Sequence, residues 1–135
     1  MTTEQKNLLL KDLCARLPYG VKCVSGVDDA TLVINGINPE CCGASEVQVT
    51  YERSGINFDT TISAIKPYLF PLSSMTEEQM EELIKLINTG QNDNNEFMRS
   101  LCRIEFYHIN HFDYRGLIPM GLANDATGLG IYENR

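Results

Sequence analysis

Residues 46–53 alternate, and that alternation limits the fold more than any other feature of the chain. Val47, Val49 and Tyr51 fall on one side; Glu46, Gln48, Thr50 and Glu52 fall on the other. Successive strand side chains point to opposite faces, so the pattern belongs to a β-strand with one buried and one wet face. Such a strand needs neighbours, and an antiparallel sheet supplies them. Residues 21–24 and 30–34 are short apolar strand candidates, the second ending at Asn35-Gly36, a strong turn dipeptide. Ser54-Gly55 turns the chain after residue 53. Residues 56–65 read as the next strand, with Phe58, Thr60, Ile62 and Ala64 on one face. The expectation is a four-stranded antiparallel meander, with a small curved or barrel-like sheet as one form it can take.

On either side of this region the period becomes helical. Thr2 and Gln5 form a capping box before a helix over residues 3–17, where Leu9, Leu10, Leu13, Cys14 and Leu17 make one apolar stripe. Lys6, Lys11 and Arg16 fall mostly elsewhere on the helix. Pro18 stops it by pushing the preceding residue out of the α region. A second capping box, Thr76 with Gln79, opens a helix to about Asn88 with Met80, Leu83, Ile84 and Ile87 in one stripe. A polar linker follows over residues 89–95. A third helix is expected over residues 96–110, with Phe97, Leu101, Ile104 and His108 on one face; Phe106-Tyr107 makes a strand the competing assignment there. The run Lys66-Pro67-Tyr68-Leu69-Phe70-Pro71-Leu72 holds two prolines, which argues against a helix or a central strand, so it reads as a packed crossing segment. The fold expected is α+β: an N-terminal helix, the meander, and two C-terminal helices packed on it. The 135 residues form one domain, with a loosely held tail from about residue 124.

Eleven basic against eighteen acidic residues give a net charge of −7. An acidic surface repels phosphate backbones, so general nucleic-acid binding is disfavoured; a basic protein partner or mimicry of DNA suits it better. No apolar run reaches the ~20 residues of a membrane span. The five cysteines, Cys14, Cys23, Cys41, Cys42 and Cys102, are odd in number, and residues 1–7 lack the features of a secretory signal. Reduced thiols in a cytoplasmic protein are the expectation.

Cys41 and Cys42 with His108 and His111 are the one set with metal-ligand chemistry. Adjacent cysteines diverge, however, and zinc sites usually separate them by two to four residues, so no metal and no cofactor is expected. A thiol nucleophile would need Cys41, Cys42 or Cys102 beside His108 or His111, with Asp113 orienting the imidazole. No local signature of a thiol hydrolase surrounds these residues. Asp113, Tyr114 and Arg115 can present a charged pair and an aromatic to a ligand, or can serve the fold. In the second case Gly116 takes a left-handed conformation, residues 118–121 form a turn, and Arg115 holds Asp113 or a helix-end carbonyl.

Three blocks carry a resemblance: Lys11-Asp12-Leu13-Cys14-Ala15-Arg16-Leu17-Pro18-Tyr19-Gly20-Val21; Lys66-Pro67-Tyr68-Leu69 with Pro71-Leu72-Ser73-Ser74-Met75-Thr76-Glu77-Glu78; and His111-Phe112-Asp113-Tyr114-Arg115-Gly116-Leu117-Ile118 with Gly121-Leu122-Ala123. Together they resemble a family of small uncharacterised proteins from anaerobic gut bacteria and their phages and mobile elements. Phe70 stands where that family more usually has a basic residue, and the tail from Asn124 departs from its acidic, proline-containing ending. The resemblance implies an intracellular, phage-linked origin and assigns no activity. The function expected is therefore a non-enzymatic accessory protein that binds another protein. Tyr19, Tyr68 and Tyr114 are the candidate anchors, with His111, Asp113 and Arg115 beside them. A small Cys/His enzyme and an acidic DNA mimic are the alternatives. The mimic requires Glu77, Glu78, Glu81, Glu82 and Asp59 on one face.

Overall fold

Leu9, Leu10 and Leu13 are buried against the sheet, and the fold is built outward from that contact. The computed structural model describes residues 1–26, 28–37, 46–89 and 96–132. Helix α1 (Thr3–Arg16) opens with the expected capping box, Thr2 and Gln5 each bonding the other's backbone N–H. A 3₁₀ turn over Leu17–Tyr19 follows, closed by Gly20 at φ 72°. Strands β1 (Lys22–Ser25), β2 (Thr31–Ile37), β3 (Val47–Tyr51) and β4 (Asn57–Thr60) form the antiparallel meander. β5 (Ile65–Pro71) then pairs antiparallel with β1. Helices α2 (Glu77–Thr89) and α3 (Glu96–Ile109) lead to the short strands β6 (Phe112–Asp113) and β7 (Asn124–Asp125), each parallel to β5. The strand order is β4-β3-β2-β1-β5-β6, with β7 also on β5. The fold is α+β as expected, but the sheet is mixed, has seven strands among the described residues rather than four, and is open rather than barrel-like.

Four local expectations are corrected. Asn35-Gly36 makes no hairpin turn: β2 runs through it, and the register with β3 slips by one residue between Ile34 and Gly36, a bulge. The strand expected over residues 56–65 ends at Thr60, and a 3₁₀ turn (Ile62–Ala64) redirects the chain. Glu46, assigned to the wet face, is buried and accepts the Ile62 N–H at 2.8 Å, which fixes that turn. The proline-containing run is the hub of the sheet rather than a crossing segment. Gly26 N–H donates to Ala64 O at 2.8 Å. Counting along the antiparallel ladder, Val24 and Lys66 form a bonded pair, and Cys23 and Pro67 a non-bonded one. The N–H that Pro67 lacks would point away from β1, so the ladder loses nothing. Pro71 lies at the strand's last position.

The main core joins α1 to β1, β2, β3 and β5, with Leu117, Leu122 and Ala123 closing it. A smaller cluster of Leu83, Phe106 and Phe112 ties α2 and α3 to β6. The expected loose tail is anchored through Tyr132. Ala126 N–H bonds Leu69 O at 2.8 Å, and Tyr132 is buried. Its hydroxyl accepts the Lys22 N–H at 2.9 Å and donates to Tyr68 O at 2.8 Å. It thus fills the next rung between β1 and β5, where the two backbones have parted.

Candidate functional site

Asp12 and Arg16 sit one helical turn apart on α1, beside the leucine stripe, and both are wholly buried. Arg16, expected away from the core, is the largest fully buried side chain among the described residues. Its Nε donates to Asp12 Oδ2 at 2.7 Å and its Nη2 to the Phe112 carbonyl at 2.6 Å. The other oxygen, Asp12 Oδ1, accepts from Arg115 Nε at 2.9 Å. One carboxylate therefore bridges two guanidiniums. Both lie near the Tyr114 ring, with Arg16 Cζ 5.3 Å and Arg115 Cζ 5.0 Å from its centroid. Arg115 Nη2 reaches the Tyr114 hydroxyl at 3.1 Å, and that hydroxyl lies 2.7 Å from His108 Nε2.

His108 enters from the last turn of α3 and packs near the rings of Tyr19 and Tyr114, with centroids at 6.1 and 5.4 Å. Burial, then the nearby Arg16 guanidinium, holds its pKa below the ordinary value of 6.5; Asp12 opposes and Arg115 adds to the shift. The imidazole is therefore neutral at neutral pH. His111 does not share its face. The helix ends two residues earlier, His111 takes φ 61°, and its ring stacks on Tyr132 at 3.8 Å. His111 is the left-handed residue that closes α3, its N–H bonding His108 O at 3.2 Å.

Asp113 accepts the N–H groups of Leu117 and Ile118, each at 2.9 Å. Arg115 thus holds Asp12, not Asp113. Gly116 is left-handed at φ 77°, and Gly121 N–H closes the expected turn on Ile118 O at 3.0 Å. Of the candidate anchors, Tyr19 and Tyr114 meet around His108, while Tyr68 lies on β5; all three are half-buried. Burial, with the Cys23 and Asp29 charges adding, raises the Tyr68 phenol's pKa. Cys41 and Cys42 lie outside the described residues. Cys23 is buried in β1, and desolvation pushes its thiol up to about 12, so it supplies no thiolate near neutral pH. Among the described residues no group of three His, Cys, Asp or Glu side chains is placed to hold a metal ion. No helix there is long and apolar enough to cross a membrane.

Sequence reasoning missed Asp12 and Arg16. Their i,i+4 spacing was a signal for a pair, but their burial depends on Phe112 and Arg115, roughly a hundred residues on. Protein-family models, curated proteins and solved structures contain no match to this chain.

A second feature lies on the α2–α3 hairpin. Met80, Ile84, Met98, Leu101 and Ile104 are 46%, 50%, 43%, 44% and 38% exposed. Met80 and Ile84 make one row at i,i+4, and Glu77 and Glu81 make a parallel row beside it. On α3 the spacing of Phe97, Leu101, Ile104 and His108 is 4-3-4, that of a coiled-coil seam.

Proposed function

We propose that this chain is a non-enzymatic interaction protein, an accessory factor of phage or mobile-element origin. Its contact face is the α2–α3 hairpin, and its partner presents a basic amphipathic helix. The observation that carries this reading is the exposure of Met80, Ile84, Met98, Leu101 and Ile104 on two adjacent helices, while Leu9, Leu10 and Leu13 of α1 are buried. Large apolar side chains exposed on two adjacent helices are the material of an interaction face. Charge complementarity selects the partner. α2 carries four glutamates against one lysine, and the Glu77–Glu81 row borders the Met80–Ile84 row. Apolar anchors flanked by Lys or Arg match both rows. The half-buried tyrosines are weaker anchors, because the Tyr114 ring and hydroxyl already serve Arg16, Arg115 and His108. Mimicry of DNA is disfavoured by placement: Asp59 lies on β4, four strand spacings or about 19 Å from β5, and away from the α2 glutamates.

The test is a tagged pull-down from host lysate at low and moderate salt, with wild type, Ile84→Glu and Leu101→Glu. We expect one stoichiometric partner that both variants release and that a peptide from its basic amphipathic segment displaces. Capture of nothing at either salt, or of a partner indifferent to both variants, overturns the reading. Sedimentation over a concentration series identifies a second copy of this chain as the occupant, which would overturn the basic partner while keeping the face.

A further inference from the structure

We propose that the paired arginines of α1 and the 112–118 turn form a binding site for a compact oxyanion, a carboxylate or a phosphate. The first observation is an unmet donor. Arg16 is wholly buried, two of its nitrogens are bonded, and its Nη1 is buried with no hydrogen-bond partner. Buried donors almost always find an acceptor, and a charged one left without pays more than a neutral one.

The second observation is the charge count. Two guanidiniums face one carboxylate, that of Asp12. Asp113, the next acid, is committed to the Leu117 and Ile118 N–H groups and bonds neither arginine. His108, packed beside Tyr114, adds no negative charge. In direct contact, then, two cations have one anion between them, while the Asp113 carboxylate, bound to backbone N–H groups, balances their charge without touching either guanidinium.

The third observation is geometry. Asp12 holds both guanidiniums by their Nε atoms, and both stand about 5 Å from one aromatic ring. The two Nη2 atoms are spent on Phe112 O and the Tyr114 hydroxyl. The Nη1 edges remain, and planar forks of this kind suit oxyanions. Arg115, with 22% of its side chain exposed, is the lip through which an anion enters.

Phosphate and acetate share the chemistry, and titration tells them apart. The intact chain, labelled with ¹⁵N, is titrated with sodium phosphate, sodium acetate or sodium chloride at constant ionic strength, observing the arginine Nε–Hε signals. We expect saturable shifts at Arg16 and Arg115 with phosphate, acetate or both, and none with chloride. Arg115→Gln should weaken binding about ten- to a hundredfold, the loss of one charge-assisted hydrogen bond. Arg115→Lys, which keeps the charge and loses the fork, should fall between. Equal responses to all three salts mean simple screening and overturn the proposal. So does the absence of any shift at Arg16, which would assign its Nη1 to a buried water. Unchanged affinity in a folded Arg115→Gln overturns it as well. None of these outcomes depends on whether the α2–α3 hairpin binds a partner.

Discussion

Asp12 gives each of its oxygens to a different guanidinium, so no single substitution in the α1 cluster is isolated. Asp12→Asn leaves Arg16 charged, buried and short of its counter-ion. We expect a loss of about 3–5 kcal/mol, read as a lower urea midpoint with an unchanged slope. His108 sets a pH dependence in the same place. Well above the ordinary value of 6.5 the imidazole is neutral in folded and unfolded chains alike, and its share of stability is complete. Below that value the unfolded chain takes up the proton first, so stability falls until the folded imidazole protonates too. Urea midpoints measured from pH about 7.5 down to 5 should show this decline, and His108→Gln should flatten it. Cys23 should resist iodoacetamide in the folded protein while exposed Cys14 reacts, as peptide mapping before and after denaturation will show. At this scale the sequence was legible in part. Asp113 to Gly121 read correctly as a shaped turn because Gly116 and Pro119 act locally. Arg16 did not, because the carbonyl that holds it is 96 residues away.

The helices were readable almost to the residue, since two capping boxes and three apolar stripes are local signals. β5 was not. Pro67 is excluded from a central strand only if its missing N–H faces a partner, and that depends on the register with β1. Asn35-Gly36 misled for a related reason: the dipeptide favours a turn, but pairing of Gly36 and Ile37 with β3 extends the strand through it. The α2–α3 hairpin meets the rest of the fold chiefly through Leu83, Phe106 and Phe112. Leu83→Ala should cost about 2–5 kcal/mol by opening a cavity there. Hydrogen exchange should then show amides of α2 and α3 opening well before those of β1 and β2. If the sheet and hairpin exchange together in the variant, the two form one cooperative unit and the hairpin does not depend on the Leu83 cluster for its attachment.

The molecule is closed by its last described residues. β5 receives β1 on one stretch and β6 and β7 on another, and Tyr132 completes the rung that the backbones leave open. Deleting residues 124–135 removes Tyr132 from its stack with His111 and should lower stability by about 3 kcal/mol or more, the scale of losing one buried aromatic. A free tail would give no change in the urea midpoint. Composition hid this anchor, because residues 124–135 hold few apolar side chains and one buried tyrosine does most of the holding. The Tyr132 rung also bears on synthesis. A ribosome adds residues from the N-terminus, so α1 and the meander emerge while the far half of β5 still waits for its partners. Tyr132 works as a clasp: a product that stops before it keeps its pieces but leaves the Lys22 N–H and the Tyr68 carbonyl without their bridge.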